Sequence, residues 1–313
     1  MTAGLYAHAV ETDGVHARCK AIEHFNEALD IDPVYALAYA GLADCYVLSP
    51  DFGVLPPEEA YPKGEAAAHR AIELDESVAE AHASLAFVLR NHRWNWAASE
   101  REFKRAIELN PNYATAHHWY SLYLAQTGRT EEALAEIDRA RELDPLSLVI
   151  KQTKGWIFYF GRQNDSAIDE ALKTIELNEN FPTAYALLGA AYERKGMHDA
   201  AIAELRKAWS LSDKDPKIVA ALAYTCAVSG RREEAQQLID ELNKLSKGKS
   251  VSPYLFALIH TGLGDDERAI RFLEDAYEQR SNFLVDLKVD PRLDQLRADA
   301  RFTGLLRRIG FPE

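Results

Sequence analysis

Cysteine and methionine are scarce in this chain of 313 residues. Its three cysteines, Cys19, Cys45 and Cys226, are too few and too widely spaced for a disulfide framework or a zinc motif, so we expect buried thiols in a reducing compartment. No run of about 18 apolar residues occurs, and the N-terminus lacks the basic flank and apolar core of a signal peptide. These absences predict a cytoplasmic protein that makes no membrane contact.

Positive charge is also in short supply, with 36 Lys and Arg against 49 Asp and Glu and a net charge of -13. Binding to the phosphate backbone of a nucleic acid requires a concentrated basic surface, so direct nucleic-acid binding is not expected. A solvated acidic exterior explains the imbalance and biases the protein toward neutral or basic partners.

Motifs that carry chemistry are missing as well. Gly248-Lys249-Ser250 resembles the end of a phosphate-binding loop, but Asn243 stands where the first glycine is required. The sequence contains no H-E-x-x-H, C-x2-C or G-x-S-x-G pattern and no glycine-rich dinucleotide turn. We therefore expect no catalytic residues, no cofactor and no metal.

A period of 34 residues is the strongest pattern that is present. Small side chains recur on it where two helices would cross closely, and glycines recur where a first helix would end. The crossing alanines are Ala133, Ala167, Ala201, Ala235 and Ala269; the turn glycines are Gly128, Gly196, Gly230 and Gly264, with Arg162 in the one slot that lacks glycine; a second small column is Ser121, Gly155, Gly189, Ala223 and Ala257.

This periodicity resembles the tetratricopeptide repeat (TPR), whose units are helix-turn-helix pairs with the pattern W-x2-L-G-x2-Y…A-x3-F…P. The closing A-x4-P element occurs at Ala28 to Pro33, Ala106 to Pro111 and Ala140 to Pro145. The resemblance implies an all-α fold, a right-handed α-α superhelix of about seven full repeats, with a degraded N-terminal one and a C-terminal capping helix segment.

The period divides the chain into one solenoid with the following boundaries. Residues 1–35 form a degraded first repeat, and 36–78 a repeat with a loop insertion at 49–57. Further repeats are 79–113, 114–147, 148–181, 182–215, 216–249 and 250–283, and residues 284–313 form the C-terminal cap.

In the TPR family, the first helix of each unit lines a concave groove, which implies a protein or peptide partner here. The register of this chain places large apolar side chains there, although some of them could instead pack against neighbouring helices. The candidate partner-binding residues are Phe87, Leu122, Trp156, Tyr159, Phe160, Tyr224, Tyr254 and Leu258. The Lys, Asn and Arg clamp of chaperone-binding members is absent from the corresponding slots.

Several segments also resemble the TPR tail of bacterial multidomain regulators, in which such a tail follows a winged-helix domain, a Ser/Thr kinase or a nucleotide cyclase. Among them are Ala36–Tyr46, Glu100–Pro111 and the ending Asp290-Pro291-Arg292-Leu293. The resemblance implies a non-enzymatic scaffold that serves as the regulatory module of a bacterial signalling or transcription system. The alternative is a ligand-sensing TPR domain that relays small-molecule binding to an effector; the oligomeric state is left open.

Overall fold

The computed structural model describes residues 14–52, 54–212, 214–247 and 250–312. Over these ranges the secondary structure is helical, with α-helices, 3-10 turns and one π-helical turn, and no strand. Consecutive helices pack as pairs along the chain. The prediction of an all-α fold of tandem helix pairs is confirmed.

The contacts within the chain separate two compact units. Unit 1 comprises the described residues up to Tyr123 together with Arg139–Ser147, and unit 2 comprises Leu124–Asp138 and Leu148–Phe311. The earlier helices are α1 (Gly14–Ile31), α2 (Ala36–Leu48), α3 (Pro57–Leu74), α4 (Ala79–Val88), α5 (Trp96–Leu109), α6 (Ala114–Thr127) and α7 (Thr130–Leu143), of which α6 and α7 contribute to both units.

The remaining helices all belong to unit 2. They are α8 (Leu148–Phe160), α9 (Asn164–Leu177), α10 (Pro182–Arg194), α11 (His198–Leu211), α12 (Pro216–Val228), α13 (Arg232–Leu245), α14 (Pro253–Gly262), α15 (Asp266–Glu278) and α16 (Ala300–Ile309). Two 3-10 helices, Asn282–Asp286 and Pro291–Ala298, lie between α15 and α16.

Local sequence explains where these helices begin. Pro57, Pro182, Pro216 and Pro253 occupy first-turn positions, where proline lacks only an N–H that the helix would leave unbonded. The Ser252 hydroxyl accepts a hydrogen bond from the backbone N–H of Tyr254 and caps α14. The division into repeats stays a prediction, and the first helix of its degraded repeat lies outside the described residues.

The small residues of the 34-residue pattern lie at close helix crossings. All five alanines of the first column are fully buried. A Cβ on Gly189 would lie 2.6 Å from Leu205 Cγ and 3.0 Å from the backbone oxygen of Ala201. Both distances are below van der Waals contact. A larger side chain at position 189 or at position 201 would therefore force α10 and α11 apart.

The turn glycines adopt the left-handed backbone conformation that the pattern requires. Gly128, Gly196, Gly230 and Gly264 have φ between +73° and +89°. Arg162, in the slot that lacks glycine, keeps the same conformation with φ +63°. A side chain with a Cβ has a steric cost in this conformation that glycine avoids.

Unit 1 contains the insertion at 49–57 and, between α4 and α5, a turn with the two tryptophans Trp94 and Trp96. A 3-10 turn, Ser49–Phe52, occupies part of the insertion. Trp94 and Trp96 flank the end of the π-helical turn Leu89–Arg93 and are 8% and 4% exposed. The two tryptophans therefore belong to the core and not to an exposed contact.

One expectation needs correction. Cys45 and Cys226 are buried as predicted, but Cys19 on α1 is exposed. Within the predicted C-terminal cap, Pro291–Ala298 is a 3-10 helix that Asp290 caps by accepting from the Arg292 backbone N–H.

Candidate functional site

Two of the predicted groove residues lie in unit 1. Phe87 on α4 is 5% exposed and packs against Trp119, with ring centroids 4.8 Å apart. The Arg90 guanidinium lies 4.8 Å from the centre of the Phe87 ring and donates a hydrogen bond to the Trp119 carbonyl oxygen. Phe87 is thus largely core, whereas Leu122 on α6 is half-buried.

Three predicted residues meet on α8 in unit 2. The ring centroid of Trp156 lies 5.3 Å from that of Tyr159 and 6.0 Å from that of Phe160. Tyr159 is fully buried in a cluster with Leu187 and Leu188 of α10, and the half-buried rings of Trp156 and Phe160 pack on this cluster. Aromatic surface therefore remains accessible at Trp156 and Phe160, and the buried ring of Tyr159 packs against both.

The other three predicted residues lie on α12 and α14 and are buried. Tyr224, Tyr254 and Leu258 are 6%, 1% and 1% exposed. Tyr224 closely approaches Gly262, where an added Cβ would lie 2.9 Å from its ring. The Tyr254 ring stacks on Phe283, with centroids 6.1 Å apart and planes inclined by 13°.

Tyr159, Tyr224 and Tyr254 line one face of unit 2, called here the face. The chain's own segment Asn282–Ala298, called here the C-terminal segment, covers it. Gln126 Nε2 donates to Asp286 Oδ1 at 2.8 Å, and the Tyr254 hydroxyl donates to Asp290 Oδ2 at 2.9 Å. Arg162 donates from Nη1 to the Val289 carbonyl oxygen at 2.6 Å. The C-terminal segment is thereby bonded to α6, to the turn after α8 and to α14.

A buried ion pair lies at the centre of the C-terminal segment. Arg292 donates from Nε and Nη2 to the two carboxylate oxygens of Asp290, at 2.9 and 2.7 Å. Burial opposes the charge of Asp290, but Arg292 and the Tyr254 hydrogen bond outweigh it and hold the Asp290 pKa below its ordinary value. Since Asp290 is 0% exposed, both charges need this mutual compensation.

Glu193, at the end of α10, shares this electrostatic environment. It is 6% exposed, and its Oε2 atom has no hydrogen-bond partner among the described residues. Burial raises the Glu193 pKa, while Arg194 and Arg292 act in the opposite direction. Burial likewise raises the pKa of Tyr159 and of Tyr224, and Arg292 interacts electrostatically with both phenols.

Sequence reasoning missed the polar residues that attach the C-terminal segment. They are Gln126, Arg162, Asp286, Asp290, Arg292 and Asp294. Two signals could have found them: Arg162 is the single break in the glycine column, and three aspartates follow one another at intervals of four. Neither signal names a partner by itself.

Within the described ranges, no group of three or more His, Cys, Asp or Glu side chains is arranged to hold a metal ion. No helix in the part of the chain that the structure describes is long and apolar enough to cross a membrane.

Comparison with protein families finds tetratricopeptide repeat models over residues 95–147, 153–216 and 193–249. The chain is similar to the transcriptional regulator HilA of Salmonella typhimurium, with 27% identity over 283 residues. This match covers 89% of the chain and 50% of HilA, so the chain spans about half the length of the curated relative.

Solved structures share the fold at low sequence identity. A monomeric mutant of IFIT1 superposes with a TM-score of 0.63 at 15% identity, over 84% of this chain and 67% of that chain. Yeast Tom70 gives a TM-score of 0.56 at 16% identity, over 93% of this chain and 62% of that chain. At these identities the likeness concerns the fold alone.

Proposed function

Because the chain is a tetratricopeptide repeat protein, we propose that it is a non-catalytic scaffold that binds a segment of a partner protein along the first helices of its repeats. One observation supports this proposal: side chains from three helix pairs of unit 2 bind the chain's own C-terminal segment. Gln126, Arg162 and Tyr254, which belong to different helix pairs, each donate a hydrogen bond to the C-terminal segment. A surface that orders one peptide through spaced donors has the chemistry needed to order another.

The predicted groove residues take two different roles in this proposal. Trp156 and Phe160, half-buried and adjacent, would contact the partner directly, and Leu122 would do so in unit 1. The buried residues would make no direct contact with the partner and would fix the positions of the exposed side chains by packing against them. They are Phe87, Tyr159, Tyr224, Tyr254 and Leu258. Aromatic side chains at such positions supply large contact area with little loss of conformational entropy.

We further propose that binding serves a regulatory system, as one module of a signalling or transcription protein. The similarity to HilA, a transcriptional regulator, supports this role. Any DNA-binding or catalytic step would then belong to another segment or to a partner.

The experiment that tests the scaffold function replaces Trp156 and Phe160 together by alanine. Immobilised wild-type chain is used to capture partners, and a photo-crosslinking amino acid at position 160 identifies the residue of the partner that lies against it. We expect the Trp156→Ala/Phe160→Ala chain to lose capture while its helical content, measured by circular dichroism, is unchanged. The chain that carries the photo-crosslinking residue at position 160 and keeps Trp156 should form a crosslink to the captured partner.

The matched control replaces two exposed apolar residues of α9, a second helix of its pair, namely Leu172 and Leu177, which are 40% and 60% exposed. Leu172→Ala/Leu177→Ala should capture partners normally. Equal capture by both double variants would contradict the proposed site. A change in Trp156 fluorescence with small metabolites, and not with captured protein, would favour the ligand-sensing alternative.

A further inference from the structure

Three aspartates of the C-terminal segment follow one another at intervals of four, and each is bound by a different part of unit 2. Asp286 accepts from Gln126 Nε2 at 2.8 Å, and Asp290 accepts from the Tyr254 hydroxyl at 2.9 Å. Asp294 accepts from Arg162 Nη2 at 2.7 Å. The spacing of the donors on the face therefore matches a carboxylate at every fourth residue of the bound peptide.

One leucine precedes the first of these carboxylates, and one lies in each interval between them. Leu284, Leu287 and Leu293 are each fully buried. The peptide has no α-helix of its own and follows two 3-10 turns, so most of what fixes it comes from the side chains of unit 2. It binds as an amphipathic ligand, with acidic and apolar positions that alternate along its length.

We propose that this face of unit 2 selects partner segments in which carboxylates recur every four residues between leucine-like side chains, and that the C-terminal segment is an internal ligand that such a partner displaces. This inference rests on the proposed scaffold function and specifies the partner and the regulation of the same face.

Local charge supports an acidic occupant despite the net charge of -13. Besides Gln126 and Tyr254, the face offers the guanidinium of Arg162 and that of Arg194, whose Nη2 lies 3.9 Å from Asp294 Oδ2. Charge-assisted hydrogen bonds of this kind are stronger than neutral ones and give directional specificity.

The central carboxylate imposes a further requirement. Asp290 is fully buried, and Arg292 on the same peptide supplies its counter-charge. A partner that inserts a carboxylate at this place needs a basic residue two positions later, because an uncompensated buried charge is strongly unfavourable. The structure thus assigns the partner an acidic residue followed by Arg or Lys at the second position after it.

An internal ligand lowers the apparent affinity for a partner, because only the fraction of molecules with the segment released can bind. Weakening the attachment of the segment should therefore tighten binding of a peptide added in trans. Asp286 and Asp294 suit this purpose, since each accepts a hydrogen bond from the face, from Gln126 and from Arg162, and neither is the buried central residue.

The test uses a fluorescein-labelled synthetic peptide with the sequence of residues 282–298 and fluorescence anisotropy. We expect the full chain carrying Asp286→Ala and Asp294→Ala to bind this peptide about tenfold more tightly than the wild-type chain does. The same peptide with its three aspartates replaced by asparagines should bind the Asp286→Ala/Asp294→Ala chain about tenfold more weakly than the unmodified peptide does, or not at all. The control chain, Glu176→Ala/Glu179→Ala, has the same change in net charge on exposed residues of α9 and its following turn and should behave like wild type.

Two results would each overturn the inference. One is equal affinity of the wild-type chain and the Asp286→Ala/Asp294→Ala chain for the unmodified peptide. The other is equal affinity of the double variant for the unmodified and the asparagine peptides. Hydrogen exchange of the unmodified chain gives a second, independent decision if the double variant does not fold. Amides of residues 284–294 should exchange faster than those of α12, through local release. Exchange only by global unfolding would show that the segment is a fixed part of the fold, while capture that depends on Trp156 and Phe160 would still stand.

Discussion

Arg162 donates a hydrogen bond from Nη1 to the backbone oxygen of Val289, 127 residues further along the chain, at 2.6 Å. The same guanidinium pairs through Nη2 with Asp294 at 2.7 Å. Its backbone has φ +63° in the turn where the neighbouring repeats have glycine. The side chain that breaks the repeat pattern is thus the one that ties a repeat turn to the C-terminal segment.

Replacement of Arg162 separates the backbone effect from the side-chain effect. Arg162→Ala removes both hydrogen bonds to the C-terminal segment, and an exposed one to the Phe160 carbonyl oxygen, while it keeps an unfavourable φ. We expect a loss of about 1–2 kcal/mol in the free energy of unfolding. Most of it comes from the part-buried Val289 bond, because the Asp294 pair is more than a third exposed. Arg162→Gly should be about 0.5–1 kcal/mol more stable than Arg162→Ala, since glycine accepts φ > 0. Urea unfolding measures both values, and an alanine variant as stable as the glycine variant would contradict the backbone argument.

The repeated part of the fold could be predicted because its causes are local and periodic. The buried alanines, such as Ala201, and the positive-φ glycines, such as Gly196, act within one helix pair, so their 34-residue spacing is visible in the sequence. Helices α6, α8 and α10 begin at Ala114, Leu148 and Pro182, 34 residues apart, for the same reason.

The attachment of the C-terminal segment could not be predicted in this way. The hydrogen bond between Gln126 and Asp286 joins residues 160 positions apart, and no periodicity links them. Sequence register placed Tyr254 in the groove but could not show that Asp290 and Phe283 cover it. Burial of the groove aromatics is therefore a tertiary property, set by what folds back onto the repeat face.

Tyr254 tests how strongly the buried ion pair depends on its neutral donor. Tyr254→Phe leaves the ring and its stacking on Phe283 but removes the hydrogen bond to Asp290, a fully buried carboxylate. We expect a loss of about 1.5–3 kcal/mol, the range for a hydrogen bond to a charged group. Tyr185→Phe is the control, because its hydroxyl bonds the Glu179 carbonyl oxygen at an exposed site and its loss should cost under about 0.5 kcal/mol. Similar melting temperatures for the two variants would show that Arg292 alone satisfies Asp290.

Ala201 tests the register of the helix crossings. It is fully buried on α11, and its backbone oxygen lies 3.0 Å from where a Cβ on Gly189 would be. Ala201→Leu should overpack this crossing and cost about 1–3 kcal/mol. Ala203→Leu, on the exposed face of the same helix, should change stability by less than about 0.5 kcal/mol. Thermal unfolding compares the two, and an unchanged melting temperature for Ala201→Leu would place the crossing elsewhere.

Glu193 predicts a pH dependence whose sign follows from burial. Its pKa is raised in the folded chain chiefly because burial disfavours the carboxylate, an effect that Arg194 and Arg292 reduce and Asp290 reinforces. A carboxyl group with a raised folded pKa destabilises the fold when it ionises: the cost is absent below the unfolded pKa, about 4.3, and is complete above the folded pKa. Glu193→Gln should therefore melt at a higher temperature than wild type at pH 7.5, and the difference should disappear as the pH falls below about 4. Melting curves from pH 3.5 to 7.5 measure this, with Glu176→Gln, an exposed residue of α9, as the matched control. A glutamine variant less stable than wild type at pH 7.5 would mean that the Glu193 charge is stabilised by Arg194 and Arg292 more than burial penalises it.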